Sequence, residues 1–480
     1  MTGIVSYGAY IPWLRLKRET IHAAMGWLNN ARLKGEKAVA SEDEDSITMA
    51  VAAGIDCLGQ IDRKSVDGIY FATTTAPYRD RQDAAIISAA LDLREDIRAA
   101  DFTDTTKAGT TALLSAIDTV KSGATANILL CAADLRPAKA GGTEEHIYGD
   151  AAASVLIGND KPVATLECAY SLSRDFMGHW RAEYDRFEHA SEDRFNRDMG
   201  YIASVRESVK GLLAKAKVEM KDITKVVYPG PYAREHGKIS KAIGAAPEQL
   251  QNTLLETVGD AGAAHPLLML VGALEEANPG DLILVASFGT GSDALLFKVT
   301  DEIKNQQGKS RFKSNLENKK YLENYQKYAS FRNMLPVEVG TRGEEIVFSQ
   351  VTRIYRERKI ILGLVGSKCK NCGTPQFPAQ RVCVKPGCGA IDQMEDYRFS
   401  DKKAKVFSYT ADSLQFSMNP PAIYGVLNFE GGGRYWFDIA DCDLDSIAVG
   451  MEVEMSFRRR YHDVPRGING YHWRAVPVRG

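Results

Sequence analysis

Four cysteines near the C-terminal end of the chain have the spacing of a metal site. Cys369 and Cys372 form one short-spaced pair, and Cys383 and Cys388 form a second. Zinc prefers tetrahedral thiolate ligands, and a Cys-x-x-Cys turn presents two sulfurs from one loop. A glycine follows each pair directly, which allows the backbone to turn beneath the metal. We therefore predict one structural Zn²⁺ held by these four thiolates; free or disulfide-bonded cysteines are the alternative.

Length, charge and the other cysteines exclude several classes of protein. The chain has 480 residues, which is too long for one ordinary core and predicts two or three domains. The formal net charge of −2 gives no electrostatic reason to expect nucleic acid as a partner. No apolar run approaches the ~20 residues of a membrane span, and the first residues lack the pattern of a secretory signal. The remaining cysteines, Cys57, Cys131, Cys168 and Cys442, occur singly, which favours a reducing compartment and hence the cytoplasm.

Residues 1–300 alternate short apolar runs with helical patterns, which predicts an α/β fold. The apolar runs predict buried strands at residues 69–72, 128–133, 226–228 and 282–286. Amphipathic patterns predict helices at residues 46–58 and 110–121.

An internal repeat connects two parts of this α/β region. Residues 112–133 align without a gap on residues 266–287, and each copy consists of a predicted helix, a turn and a buried strand. Each copy is followed by a glycine-containing turn and another strand, and each is preceded by an earlier strand. Chance matching of apolar residues is the alternative, but the shared order of units favours a duplication.

The composition changes after residue 300. Residues 301–333 are charged and polar, which predicts a surface helix or linker, with a basic patch for a phosphorylated ligand as the alternative. We predict a helical linker at residues 334–366 and a zinc ribbon at residues 367–390. From residue 391 to residue 480 the pattern is all-β and predicts a small barrel of the oligonucleotide/oligosaccharide-binding (OB) type. Its five predicted strands lie at residues 406–410, 422–429, 435–439, 451–457 and 471–476.

Several stretches resemble 3-hydroxy-3-methylglutaryl-CoA synthase and its ketoacyl-synthase-III relatives in the thiolase superfamily. They are residues 3–12, 106–113, 289–293 and 325–332. The resemblance implies a duplicated thiolase-like αβαβα core with halves at residues 1–160 and 161–333, a homodimer formed through the α/β domain, and acyl-CoA as substrate. Residues 367–480 resemble acyl-CoA-associated zinc-ribbon/OB-fold proteins, which usually occur as separate small subunits beside thiolases.

The resemblance implies catalytic positions that this chain does not fill in the usual way. Such enzymes transfer an acyl group to a cysteine thiol, and a histidine or glutamate handles the protons. The position of the cysteine holds Thr106, that of the glutamate holds Thr74, and that of the histidine holds Pro229. The later active-site asparagine corresponds to Asp260. We therefore expect a synthase-like chain without the family nucleophile.

Two residues could still give this chain a catalytic activity of its own. Asp260 occupies the place of Thr106 in the internal repeat, and His265 lies in the same segment. In this fold the two repeat helices approach the active centre together. Each residue also has a simpler explanation, because Asp260 suits a helix cap and His265 a hydrogen-bonded position at a helix start.

These observations favour one function and leave two alternatives. The leading interpretation is an acyltransferase-type component that works with a separate cysteine-bearing thiolase in the formation or cleavage of carbon–carbon bonds in acyl-CoA. A self-sufficient acyl-CoA lyase or aldolase-type enzyme that uses Asp260 and His265 is the first alternative. A non-enzymatic OB module that stacks nucleic-acid bases on aromatic side chains is the second. Core packing explains those aromatic residues more simply; they are Tyr409, Phe416, Tyr424, Trp436 and Phe437.

Overall fold

The computed structural model describes residues 1–30, 32–231, 236–344 and 349–479. The chain divides into two compact units. The first comprises Met1–Ser41, Ala52–Ala85 and Arg94–Leu335. The second comprises Glu42–Val51, Ile86–Leu93 and Pro336–Gly480. Two short segments of the N-terminal region therefore belong to the second unit.

The described elements up to residue 335 alternate between strands and helices. The strands are β1 (Gly3–Tyr10), β2 (Leu14–Lys17), β3 (Glu36–Val39), β4 (Gly68–Ala72), β5 (Arg98–Phe102), β6 (Ile128–Asp134), β7 (Ala151–Gly158), β8 (Ala164–Ser173), β9 (His179–Trp180), β10 (His189–Ala190), β11 (Lys225–Val227), β12 (Leu282–Ala286), β13 (Gly291–Val299) and β14 (Lys320–Tyr321). The helices are α1 (Arg18–Met25), α2 (Ser46–Leu58), α3 (Asp83–Ala90), α4 (Ala108–Lys121), α5 (Thr143–Ile147), α6 (Asp193–Phe195), α7 (Ala203–Ala216), α8 (His236–Ile243), α9 (His265–Glu276), α10 (Phe312–Glu317) and α11 (Tyr325–Phe331).

A nine-stranded mixed sheet repeats one pattern of strand pairing in its two halves. Its order is β11-β12-β13-β8-β1-β7-β6-β4-β5. In the first half β4 is parallel to β6, β6 is antiparallel to β7, and β7 is antiparallel to β1. In the second half β11, β12, β13 and β8 pair in the same sequence of directions. The duplicated α/β fold expected from the internal repeat is confirmed, and all four strands predicted in this region are present.

The two repeat helices, α4 and α9, share one apolar core with strands of both halves. Helix α9 is buried from His265 to Glu275, as expected for a helix covered on every side. The helices approach closely at their N-terminal ends, because a Cβ atom on Gly109 would lie 2.2 Å from the carbonyl oxygen of Ala263. Glycine at residue 109 is therefore required by this approach. Helices α7 and α8 pack on a second apolar cluster with strands of the second half.

The expectation of a surface helix or linker at residues 301–333 is wrong for its last part, residues 325–332, whereas most of residues 301–324 are exposed or half-buried. Helix α11 buries Tyr325, Tyr328 and Phe331, which recur every three residues along one face. Arg332 pairs with the fully buried Asp150 at 2.6 Å. The many lysines of this segment obscured a helix whose aromatic face completes the first unit.

The second unit contains the described elements from residue 336 onward. They are helices α12 (Gly340–Glu344), α13 (Val351–Arg356) and α14 (Arg358–Ile361), and strands β15 (Val365–Cys369), β16 (Pro375–Gln376), β17 (Met394–Arg398), β18 (Ala404–Asp412), β19 (Ala422–Phe429), β20 (Arg434–Asp438), β21 (Glu452–Asp463) and β22 (Ile468–Pro477). Strands β15, β16 and β17 form a three-stranded sheet that carries the first cysteine pair.

The five predicted C-terminal strands are confirmed and form one antiparallel sheet in the order β20-β19-β18-β21-β22. A single bridge joins Ile439, just beyond one edge strand, to Ala475 in the other edge strand. The sheet therefore curls until its edges meet at one point, which is consistent with the OB-fold expectation.

Core packing does not explain three of the five aromatic residues for which base stacking was the alternative. Phe437 is buried, but Trp436 is 46% exposed and Tyr409 and Phe416 are each 39% exposed. Successive side chains on a strand point to opposite faces, so Trp436 and Phe437 cannot both face the core. The expectation of core packing is therefore wrong for Tyr409, Phe416 and Trp436.

A buried ionic network joins the OB sheet to the Glu42–Val51 segment within the second unit. Arg458, whose side chain is 1% exposed, contacts Asp43 at 3.0 Å, Glu44 at 3.1 Å and Asp441 at 2.5 Å. Arg474 adds a contact of 2.6 Å to Asp43. Burial of these carboxylates is tolerated because guanidinium groups pair with them. Across the described residues, the structure contains no helix that is both long and apolar enough to cross a membrane.

Candidate functional site

Three of the candidate site residues, Thr106, Asp260 and His265, lie around the N-terminal ends of the two repeat helices. Thr106 precedes α4 by two residues, and His265 is the first residue of α9. Both lie in the first unit. The close approach of Gly109 to Ala263 brings these two helix starts together, as the family resemblance implied.

The Thr106 hydroxyl is hydrogen-bonded to the backbone. Its Oγ1 donates a hydrogen bond of 2.7 Å to the backbone carbonyl of Phe288. Lys107, the next residue, directs its amine to the buried carboxylate of Asp293 at 3.1 Å. Among the described residues, no basic side chain is hydrogen-bonded to the Thr106 hydroxyl. A threonine hydroxyl needs such a base before it can attack a thioester.

Thr74, at the position of the family glutamate, is part of a buried cradle around Asp134. The Thr74 amide and Oγ1 donate to the Asp134 carboxylate at 2.6 and 3.0 Å. The hydroxyls of Thr73 and Thr75 and the amide of Ala263 also donate to it. Desolvation raises the pKa of Asp134, while these hydrogen bonds oppose that shift. Through these hydrogen bonds, the Asp134 carboxylate holds the loop at residues 73–75 against the start of α9.

Pro229 has no side chain that could replace the family histidine. Its carbonyl accepts a hydrogen bond from the buried hydroxyl of Tyr201. The positions of the family cysteine, glutamate and histidine thus carry two threonines with fixed hydrogen bonds and one proline.

Asp260 belongs to a cluster centred on the guanidinium of Arg136. Arg136 contacts Asp260 at 3.1 Å and makes a two-pronged contact of 3.0 and 2.7 Å with Glu188. Its guanidinium also lies 3.6 Å from the ring centre of Tyr148 and donates to that hydroxyl at 2.8 Å. Burial raises the pKa of Asp260, but the charge of Arg136, the Gly262 amide and the two nearby histidines together hold this pKa below its usual value. Asp260 is therefore an ion-paired carboxylate at neutral pH.

His265 uses both ring nitrogens in local hydrogen bonds. Nδ1 accepts from the amide of Ala261 at 3.2 Å, and Nε2 donates to the carbonyl of Thr253 at 2.9 Å. This arrangement fixes a neutral tautomer, and burial lowers the pKa of His265 further. The contacts match those of a histidine that anchors a helix start.

Sequence reasoning missed the residues that organise this site, namely Asp134, Arg136 and Glu188. A signal existed for the first two, because Asp134 ends the buried strand β6 and Arg136 follows it by two residues. Polar residues at the carboxyl end of a strand in an α/β sheet are typical of functional sites. Glu188 gave no such signal, since its surroundings are rich in charged residues.

The four cysteines of the predicted metal site come together in the second unit. Their sulfur atoms all lie within 4.8 Å of one another, with 3.8 Å between Cys369 and Cys388 and 3.5 Å between Cys372 and Cys383. A tetrahedral zinc with bonds of about 2.3 Å places its sulfurs about 3.8 Å apart. The donor set and the spacing therefore fit a four-thiolate zinc ion.

Three family models match parts of the chain. Residues 213–298 match the C-terminal part of 3-oxoacyl-[acyl-carrier-protein] synthase III. Residues 363–392 match the rubredoxin-like zinc ribbon domain of ChsH2, and residues 397–458 match its C-terminal OB-fold domain.

The chain matches curated relatives over almost their whole length. Hydroxymethylglutaryl-CoA synthase of Methanopyrus kandleri is 33% identical over 343 residues, which are 69% of this chain and 97% of that protein. The enzyme of the same name from Methanocaldococcus jannaschii is 32% identical over 347 residues, or 70% of this chain and 99% of that protein.

Solved structures agree on the fold. A 3-hydroxy-3-methylglutaryl-CoA synthase complexed with CoA has a TM-score of 0.61 at 17% identity and covers 73% of this chain and 94% of its own. The 3-oxoacyl-[acyl-carrier-protein] synthase III of Aquifex aeolicus VF5 has a TM-score of 0.55 at 21% identity. The match covers 62% of this chain and 100% of that protein's chain. The chain therefore belongs to the hydroxymethylglutaryl-CoA synthase family, with zinc-ribbon and OB-fold domains of the ChsH2 type fused behind the synthase-like region.

Proposed function

We propose that this chain is a nucleophile-less synthase-like subunit that acts with a separate cysteine-bearing thiolase on acyl-CoA. The complex would form or break a carbon–carbon bond by Claisen condensation, thiolysis or C-acyl transfer. This chain would supply the scaffold and the fused zinc/OB module, and a homodimer through its α/β domain would follow the family pattern. The singly occurring cysteines support the cytoplasm as its compartment.

The hydrogen bond from Thr106 to the Phe288 carbonyl is the observation that carries this proposal. Acyl transfer in the family begins with a thiolate, whereas a threonine hydroxyl without a base is a poor nucleophile near neutral pH. Thr74 and Pro229 provide no base at the two partner positions. A catalytic cysteine must then come from another chain if the complex performs family chemistry.

The contacts of Asp260 and His265 argue against a self-sufficient enzyme built on these two residues. A general base needs an accessible lone pair and a pKa near the working pH. The carboxylate of Asp260 is occupied by Arg136 and has a lowered pKa, and both ring nitrogens of His265 are engaged with the backbone.

The zinc ion that we propose is structural and would be bound by Cys369, Cys372, Cys383 and Cys388. Four protein thiolates leave no open ligand position for a substrate or a water molecule. The metal would hold together the three-stranded sheet of the ribbon, which has little apolar core of its own.

Purification from the native source with identification of co-purifying chains tests the partner proposal. We expect a thiolase in fixed stoichiometry, and a cysteine-to-alanine change in its active site should abolish turnover by the complex. As a control, the isolated chain is assayed with the same acyl-CoA at the same concentration. Turnover by the isolated chain, or full activity of the thiolase without it, would contradict the proposal.

A further inference from the structure

One side of the OB sheet in the second unit exposes several aromatic side chains. Buried and half-buried residues alternate along β19, so Tyr424, Val426 and Asn428 point away from the buried side of the sheet. Strand β20 pairs with β19 and places Trp436 opposite Val426 and Arg434 opposite Asn428. The Trp436 and Arg434 side chains therefore lie on the same side of the sheet as these three, which we call the outer face.

A bulge in β18 brings one more aromatic ring to the outer face. Phe407 is an extra residue between Val406 and Ser408, which pair with adjacent residues of β19. A bulge of this kind redirects a side chain. The Phe407 ring centre lies 4.1 Å from the guanidinium of Arg434, which places this ring on the outer face. Because Phe407 is 50% exposed and Trp436 is 46% exposed, both rings can contact another molecule.

Arg434 is ordered on this face but has no carboxylate partner among the described residues. Its Nε donates to the side-chain oxygen of Asn428 at 2.6 Å, and the Phe407 ring packs against its guanidinium. A guanidinium that is already ordered loses less conformational entropy when it binds a carboxylate. Further along the face, the rings of Tyr424 and Trp436 are in contact, with centres 5.2 Å apart. Tryptophan, tyrosine and arginine are the residue types that contribute most binding energy at protein interfaces.

The charges of the outer face favour a protein partner over single-stranded nucleic acid. Asp438 pairs with Tyr424 across the two strands, and Asp412 accepts a hydrogen bond of 3.4 Å from the Tyr424 hydroxyl. Carboxylates beside the rings repel phosphate groups, whereas a surface that stacks bases needs cations along the backbone of the nucleic acid. One unpaired guanidinium among aromatic rings instead complements a carboxylate set within an apolar protein surface.

We propose that the outer face is the surface on which the partner thiolase docks. Phe407, Tyr424 and Trp436 would pack against an apolar surface of the thiolase, and a carboxylate within that surface would pair with Arg434. The identity of the partner rests on the proposed function, whereas the chemistry required of it follows from the residues of the face.

The affinity of the full chain for the thiolase purified from the native complex tests this assignment. Trp436→Ala and Arg434→Met each remove one part of the outer face. Tyr355→Ala and Arg358→Met are matched controls, because they alter another aromatic–arginine pair of the second unit, with the guanidinium 4.7 Å from the ring centre. Tyr355 is 68% exposed. Dissociation constants for the five proteins, including the unchanged chain, are measured by biolayer interferometry.

We expect Trp436→Ala and Arg434→Met to raise the Kd for the thiolase at least tenfold each, and both controls to stay within twofold of the unchanged chain. Arg434→Glu should weaken binding further than Arg434→Met, because it places two carboxylates against each other. This variant changes only an exposed side chain, so it decides the question if Trp436→Ala lowers the urea unfolding midpoint. An unchanged Kd in Arg434→Glu, or equal losses in the outer-face variants and the controls, would overturn the assignment.

The outcomes separate this assignment from the proposed function. A thiolase that binds all variants equally would contradict the docking surface and leave the partner proposal intact, whereas a chain that purifies alone would contradict both. Sedimentation velocity and the binding of an oligothymidylate test the other occupants. Self-association, or oligonucleotide binding, that is lost in Trp436→Ala would assign the outer face to a second copy or to nucleic acid and would overturn the proposal.

Discussion

The zinc ribbon and the synthase-like centre differ in how their key residues are distributed along the chain. The ribbon draws all four thiolates from residues 369–388. The centre depends on Arg136, which pairs with Glu188 52 residues away and with Asp260 124 residues away. The ribbon is a local motif that a bound metal would stabilise. The centre consists of residues far apart in sequence that are joined by ion pairs and hydrogen bonds.

This difference separates two sources of stability. A small metal site gains most of its folding free energy from the ion. A buried charge cluster contributes little net free energy to folding, because the cost of desolvation offsets the attraction between the charges. Removal of one partner is nevertheless destabilising, because it leaves the other groups charged and unpaired. Substitutions should therefore damage the two regions in distinct ways.

The largest effect is expected from Cys372→Ser in the ribbon. Structural zinc in small domains contributes about 10–16 kcal/mol of binding free energy at neutral pH, so loss of one thiolate should release the metal and unfold residues 365–398. Zinc content by mass spectrometry and limited proteolysis would measure both effects. Cys442→Ser, which changes a cysteine outside the ribbon, should retain one zinc per chain. Full zinc stoichiometry in the Cys372 variant would contradict the four-thiolate assignment.

Arg136→Met should cause the largest loss among changes at the centre. The substitution leaves the carboxylates of Glu188 and Asp260 without their common partner, and breaking such a buried pair costs about 3–5 kcal/mol. Denaturant unfolding monitored by circular dichroism would measure the loss. Arg174→Met removes a more exposed pair with Glu207 and should cost at most about 1 kcal/mol. Equal losses in the two variants would mean that Arg136 does not organise the centre.

The same difference explains what the sequence could predict. Cysteine spacing identified the ribbon because its ligands are close in sequence, and period-two patterns identified the five strands behind it. The repeat predicted a duplicated α/β fold for a similar reason, since each copy is a contiguous unit. The pairing of Glu188 with Arg136 had no local pattern, because a long-range ion pair depends on how the completed fold places two charges.

The tail of the first unit shows the same limitation. Its lysines suggested a solvated surface, yet the aromatic residues of α11 and Arg332 are buried. In the second unit, the acidic Glu42–Val51 segment gave no sign that Arg458 would pair with it. Charge-rich sequence is ambiguous because an exposed face and a buried ion network have similar compositions.

Lys37→Met tests how a second long-range network in the first unit affects the pH dependence of stability. The Lys37 amine is buried and donates to the carbonyl of Glu145 and the hydroxyl of Tyr328. Burial, followed by the charge of Arg332, lowers the pKa of Lys37 to about 7, and the nearby charges of Asp150, Glu145 and Arg18 modify this shift.

The sign of the pH effect follows from proton uptake. The unfolded lysine, with its usual pKa, keeps its proton between pH 7 and pH 9.5, while the folded one has released it. The unfolded state thus binds more protons, and stability should rise by up to about 3 kcal/mol across this interval. Lys37→Met should remove that rise, whereas Lys121→Met, at an exposed position on α4, should keep it. Unfolding midpoints in urea at the two pH values measure the difference, and parallel curves for all three proteins would refute the assignment.

The smallest effect is expected from Thr106→Ala. The change removes one hydrogen bond to the Phe288 carbonyl, which contributes about 1 kcal/mol to stability. If the chemistry resides in a partner cysteine, the turnover of the assembled complex should remain within twofold of the original. Thr106→Ser, which keeps the hydroxyl, controls for loss of the methyl group. A loss of more than tenfold in the alanine variant, with the serine variant active and both variants folded, would show that this hydroxyl takes part in the reaction. The centre would then be a chemical site, and its contrast with the purely structural ribbon would become sharper.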